Sequence, residues 1–187
     1  MPLLLIIAGC NGAGRTTFAR PYTAARELPF LNADDLTLDY RGRAGLSEDA
    51  ALVRAGRTFL AAIDEQIGRG VDFAFETTLS GGYINGVVGR AKAAGYRVEL
   101  VYLFVDSAQV AVARVAQRVR KGGHDVPEEA IRRRYERSRG NFLKLRNRVD
   151  GWRMYYSAGG DITLIAERNG ASLVILDTEK HDDFVDG

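Results

Sequence analysis

Apolar residues open the chain without a break. Residues 2–8, from Pro2 through Leu3, Leu4, Leu5, Ile6 and Ile7 to Ala8, form a short continuous run, the pattern of a strand covered on both faces in a parallel sheet. Three glycines in residues 9–14 end it, and residues 15–26 read as a helix. Phe30, Leu31 and Asn32 form a short second strand that stops at Ala33, Asp34 and Asp35; from there to Gly45 no period decides between helix and loop. Ser47 followed by Glu48 and Asp49 reads as a helix start, with a cap oxygen and first-turn acids. Apolar positions 52, 53, 59, 60, 63 and 67 carry that helix to Gly68. Residues 71–75 are the next strand, which delivers Glu76, Thr77 and Thr78 at its carboxyl end. A helix over 83–94 stops at Gly95, residues 98–105 give the strongest strand, and 107–120 are helical up to Gly122 and Gly123. Pro127 fits the first position of a further helix, with Glu128 and Glu129 in its first turn, continuing to Arg148. Late strands over 164–166 and 173–176 suit a hairpin around Asn169 and Gly170.

Strands alternating with helices predict an α/β fold with a largely parallel sheet. No linker or repeat divides the chain, so residues 1–187 are read as one domain, with the acidic stretch 178–187 expected to fray. Ligands bind such sheets beyond the carboxyl ends of the strands, where segments 9–17, 34–35 and 76–78 would gather. A hydrophobic content of 46% with 27% charged residues is that of an ordinary globular protein. The five-residue run at 3–7 lacks the basic flank of a leader. No stretch approaches the ~20 apolar residues of a membrane span. The single cysteine, Cys10, excludes an internal disulfide and suits a reducing cytoplasm.

Residues 9–16, Gly9-Cys10-Asn11-Gly12-Ala13-Gly14-Arg15-Thr16, fit G-x-x-x-x-G-K-[ST] except at the lysine. Glycine is needed there because inward amides must approach phosphate oxygens closely, and the helix that follows adds its positive N-terminus. Strand, loop, threonine and helix all agree, which argues against a Gly-rich turn that binds nothing. The reading is a nucleoside triphosphate held by Gly9, Asn11, Gly12, Ala13, Gly14, Arg15, Thr16 and Thr17, with the Thr16 hydroxyl on Mg²⁺. Arg15 is wider and more planar than lysine, so one alternative is a nucleotide-binding protein with little or no catalysis.

These segments together resemble the zeta-toxin-like P-loop kinases. The resemblance rests on residues 6–17, Asn32-Ala33-Asp34, Phe75-Glu76-Thr77-Thr78-Leu79-Ser80 and Gly122-Gly123-His124-Asp125-Val126-Pro127, and covers residues 3–157. It implies a P-loop NTPase fold with an Arg-rich helical lid, about 118–140, and ATP-dependent phosphorylation of a small hydroxyl-bearing acceptor. In characterised zeta toxins that acceptor is UDP-N-acetylglucosamine, a nucleotide sugar. By the same resemblance Asp34 takes the acceptor proton, Glu76 stands at the substrate pocket, and an antitoxin-like protein is a partner. Near the end, Tyr155-Tyr156-Ser157-Ala158 replaces the Tyr-Asp-Asn-Ser run of relatives.

The remaining candidates follow from chemistry. Asp35 is a weaker neighbour of Asp34, a holder of a magnesium-bound water. Thr77 and Thr78 add hydroxyls that could fix a polar acceptor. Between residues 114 and 148 stand twelve Lys or Arg against four acids; most are read as a solvated helix face. Arg118, Arg133 and Arg134 flank the glycine pair and are the candidates to neutralise the transferring phosphate. Which of Arg120 and Arg132 to Arg134 points inward is left open. A nucleic-acid surface on 114–148 is the third reading, against which the net charge of only +2 argues. His124 could stack on the base, contact phosphate or hold the hinge. Trp152, Tyr155 and Tyr156 are read as core or sheet residues. Cys10, beside a helix N-terminus, has the setting that lowers a thiol pKa, yet it is taken as a small loop residue and no nucleophile.

Overall fold

A computed structural model describes residues 1–123 and 125–186, apart from the side chains of Arg43 and Ala44. The first half runs β1 (Leu3–Gly9), α1 (Arg15–Ala24), β2 (Phe30–Leu31), α2 (Ala33–Ala44), α3 (Glu48–Arg69), β3 (Phe73–Thr77) and α4 (Ile84–Ala93). The second runs β4 (Arg97–Phe104), α5 (Ala108–Arg120), α6 (Glu128–Leu145), β5 (Gly151–Ala158), β6 (Asp161–Asn169), β7 (Ser172–Ile175) and α7 (Thr178–Asp186). The strands form one sheet in the order β2-β3-β1-β4-β5-β6-β7. Pairings from β2 through β5 are parallel and the last two antiparallel. The predicted α/β architecture with a mostly parallel sheet is therefore the one observed.

β1 is apolar throughout because it lies between β3 and β4 and is covered on both faces. Leu4, Ile6 and Ala8 pack into one core with Phe73, Phe75, Tyr102 and residues of α3, α4 and α6. Leu5 and Ile7 point the other way, toward Ala19 of α1 and Ala111 and Val115 of α5. The sheet order steps outward from β1 in both directions, so the carboxyl end of β1 is the switch point where such sheets open a crevice.

Several boundaries differ from expectation. β3 starts and ends two residues later than read, so Glu76 and Thr77 lie inside the strand. Residues 33–44, where no period decided, are helical because Asn32 caps them, its Oδ1 accepting from the Asp34 amide at 2.8 Å. Ser47 stands at the predicted N-cap of α3, but its side chain makes no capping bond. Pro127 is the N-cap of α6 instead of its first residue, and that helix ends at Leu145. The hairpin around Asn169 and Gly170 is present, with β6 extended to nine residues. β5 has no counterpart in the reading, because Arg153 breaks an otherwise apolar pattern; that side chain pairs with Glu99 and Glu167 on the neighbouring strands.

The tail expected to fray is ordered as α7. Its acidic composition hides one anchor, Phe184, which is 5% exposed. The ring packs on Tyr102, Phe104 and Phe142 at centroid distances of 5.5, 4.7 and 5.7 Å. Arg139 of α6 fixes the backbone, donating to the Phe184 and Val185 carbonyls at 2.7 and 3.0 Å. Phe184→Ala should therefore cost about 3–5 kcal/mol of stability, read by denaturant titration; a change below about 0.5 kcal/mol would show that α7 is not docked.

Candidate functional site

The loop after β1 is shaped by its glycines. Gly9 has φ of 151°, and a Cβ there would lie 2.3 Å from the Leu103 carbonyl oxygen on β4. Gly12 has φ of 82°, and its Cβ would meet the Ala111 carbonyl oxygen at 2.7 Å. Gly14, at φ 84°, is the N-cap of α1. These are conformations that a side chain either disfavours or blocks. The loop's own side chains turn into the protein, with Cys10 and Ala13 buried in the core on the α1 and α5 side. The first-turn amides of α1 have no intrahelical acceptor, and no acidic residue stands in that turn to occupy them.

Thr16 and Glu76 connect this loop to the next strand. The Thr16 hydroxyl donates to Glu76 Oε1 at 2.9 Å, since β3 runs beside β1 and Ile7 is level with Glu76. Burial raises the Glu76 pKa, opposed by the Arg15 charge and the Thr16 bond. Its other oxygen, Oε2, is buried without a hydrogen-bond partner among the described residues, and so is Nε of Arg15. The Arg15 side chain folds back over the loop, Nη1 donating to the Gly9 carbonyl. Among the described residues no cluster of three His, Cys, Asp or Glu could hold a metal unaided.

Two cavities meet here. One of about 290 Å³ lies over the loop, lined by Asn11, Gly12, Gly14, Thr16, Thr17, Arg114 and Arg118 among others. A second, of about 540 Å³, is lined by residues that include Asn32, Glu76, Thr77, Thr78, Tyr83 and Arg134, together with one face of α3. Arg15 and Asp34 line both.

Residues 1–173 match the family model described as zeta toxin. The chain belongs to the zeta toxin family. A solved AvrRxo1-ORF1:-ORF2 structure with ATP is similar with a TM-score of 0.78 and 17% identity. This chain is covered over 98% of its length and spans 63% of that one. The PezAT toxin-antitoxin system of Streptococcus pneumoniae gives a TM-score of 0.65 at 14% identity, covering 89% of this chain and 72% of that one. At such identities these likenesses concern the fold. An uncharacterised Haemophilus influenzae protein is 27% identical over 131 residues, 70% of this chain and 91% of that protein.

Within this zeta toxin family member the lid arginines separate. Arg134 lines the larger of the two cavities and donates to Asn11 Oδ1 at 3.3 Å. Burial, with Arg133 and Arg15 nearby, lowers its pKa. Arg118 lines the cavity over the loop. Arg133 instead turns with Arg132, Glu136 and Arg139 into a third cavity, of about 810 Å³, beside Phe104, Asp106 and Lys180. It is the largest of the three, but the glycine loop contributes nothing to it. His124 lies outside the described residues.

Other candidates are engaged elsewhere. Asp35 accepts two bonds from Arg20 at 2.7 and 2.8 Å on the surface. The Thr77 hydroxyl pairs with Tyr83 at 2.9 Å and Thr78 with Ser80 at 2.8 Å. Trp152, Tyr155 and Tyr156 all lie on β5. Sequence reasoning passed over Arg114, which donates to Ser157 Oγ and its carbonyl at 2.8 and 2.9 Å and reaches the Gly12 carbonyl at 3.4 Å. Its spacing of four from Arg118, one turn along a helix, was the available signal.

Cys10 corrects one expectation. Burial raises its pKa to about 11, outweighing the charges of Arg15 and Arg114. The thiol is thus protonated at neutral pH, consistent with a loop residue that is no nucleophile. Iodoacetamide at pH 8 should leave Cys10 unmodified in the folded protein and label it fully in denaturant, as read by mass spectrometry. Rapid labelling of the native chain would contradict this placement.

Proposed function

We propose that the chain transfers the terminal phosphoryl group of ATP, with Mg²⁺, to a hydroxyl of a small molecule. The observation that carries this reading is the position of Asp34, shared by the cavity over the loop and the cavity beside it. A carboxylate there stands between a phosphate donor on one side and an acceptor on the other, the geometry an in-line transfer requires. The amides of residues 11–17 and the N-terminus of α1 hold the polyphosphate. Arg15 offers its unpartnered Nε, while Arg118 and Arg134 neutralise charge that spreads over the phosphate oxygens. Thr16 and Glu76 would be the residues that hold Mg²⁺, which would neutralise phosphate charge when bound. A metal held mainly by phosphates and water suits Mg²⁺, and the donor set fits it.

The family resemblance supports a nucleotide sugar, such as a UDP-amino sugar, as the acceptor. The similarity to PezAT, a toxin-antitoxin system, supports an antitoxin-like partner. A second reading, nucleotide binding with little turnover, is favoured by the Arg15 guanidinium bonded to the Gly9 carbonyl. A nucleic-acid surface is disfavoured, since Arg114, Arg139 and Arg148 of the basic segment are committed to Ser157, Phe184 and Asn85.

With labelled ATP and a panel of nucleotide sugars and other small alcohols, the protein should form a phosphorylated product. Asp34→Asn should lower kcat by about 10²–10⁴-fold with ATP affinity unchanged, and Arg15→Lys should raise kcat. ATP binding without product in both the natural and the Lys form would leave the second reading standing. Because the Glu76 pKa is raised, Mg²⁺-dependent ATP affinity should fall with decreasing pH sooner than an ordinary carboxylate would dictate. Glu76→Gln should flatten that dependence in calorimetric titrations, and an unchanged pH profile would remove Glu76 from the metal site.

A further inference from the structure

α3 carries a glycine that the fold does not explain. Gly56 sits mid-helix in Glu48–Arg69, its φ is not positive, and an added Cβ would meet nothing within 4 Å. Glycine in a helix interior is less favourable than alanine, so neither backbone geometry nor packing asks for it. It lines the 540 Å³ cavity, and so do Leu52, Val53 and Leu60, large apolar residues that remain 43%, 58% and 36% exposed. Positions 52, 53, 56 and 60 share one helical face by their spacing of three and four. That face is an apolar slab with a recess at its centre.

Arg57 lines the same cavity and makes no ion pair or hydrogen bond among the described residues. With Arg15 and Arg134 it gives three guanidinium groups against the carboxylates of Asp34 and Glu76. Glu76 is already bonded to the Thr16 hydroxyl. The wall is apolar and the surplus charge positive, a combination that rewards neither a neutral polyol nor a cation.

We infer that this face of α3 selects the acceptor, which presents an apolar-faced ring to the Leu52, Val53, Gly56 and Leu60 recess and an anionic group to Arg57. The inference rests on reading this cavity as the acceptor side, and it assigns α3 residues to specificity without any role in phosphate chemistry.

The test uses the full chain with a non-hydrolysable ATP analogue and Mg²⁺ filling the loop, and three probes: 1-naphthyl phosphate, 1-naphthol and inorganic phosphate. By calorimetry, 1-naphthyl phosphate should bind at least ten-fold tighter than either fragment. Arg57→Ala should bring it down to the affinity of 1-naphthol, leaving 1-naphthol itself unaffected. Gly56→Leu, which fills the recess, should weaken both ring-bearing probes ten-fold or more. Gly56→Ala should raise Tm by about 2–4 °C, and Gly56→Leu should also melt no lower than the natural protein, so lost binding cannot be ascribed to misfolding. Equal affinity of the Gly56→Leu and natural proteins for 1-naphthyl phosphate would overturn the inference, as would phosphate binding as tightly as the ring-bearing ester. Failure of the ATP analogue to bind would sink the kinase reading alone, since the Gly56 and Arg57 variants still locate the probes.

Discussion

The approach of Gly9 to the Leu103 carbonyl is the constraint on which the rest of the site depends. Where any side chain would stand 2.3 Å from that oxygen, β1 stays in register with β4 to its own last residue, Gly9 beside Leu103, and the chain can turn back immediately. Gly12 repeats the arrangement against Ala111, seating the loop on the first turns of α5. With both contacts made, Cys10 and Ala13 pack into the core, and the first-turn amides of α1, which have no intrahelical acceptor, stand at the end of the loop. An anion-binding surface is thus a by-product of close backbone packing at the sheet's switch point.

Several side chains around the two cavities are tied to that loop from different directions. Thr16 holds Glu76 of β3, Arg114 of α5 joins Gly12 to Ser157 of β5, and Asn11 receives Arg134 from α6. α6 is in turn fixed at Arg139 by the carbonyls of α7. The C-terminal helix therefore contributes to the site at a distance, by fixing the helix that presents Arg134. Arg15 is the loose piece: bonded to Gly9 through one nitrogen, with Nε buried and unpartnered, it holds charge inside the loop that a phosphate would satisfy.

The features legible in sequence were those set by local chemistry. The opening strand, three glycines, threonine and helix start are fixed by neighbours a few residues apart, and the strands after them alternate with helices plainly. Asp34 was placed because a short strand ends just before it. β5 escaped because Arg153 is charged in sequence and neutralised only by Glu99 and Glu167 from adjacent strands. Arg114 escaped because its partner Ser157 lies 43 residues away. The choice among Arg132, Arg133 and Arg134 depends on how α6 is rotated against the cavities, which no local pattern encodes. Thr77 looked available to a ligand until the fold brought Tyr83 to its hydroxyl.

Whether the loop amides grip a polyphosphate is decided by amide-resolved NMR during an ATP titration. The largest shift changes are expected at the backbone amides of residues 11–17, with smaller ones at Arg114 and Arg118. Shifts centred instead on residues 104–109 and Lys180, around the largest cavity, with the loop amides unmoved, would contradict it.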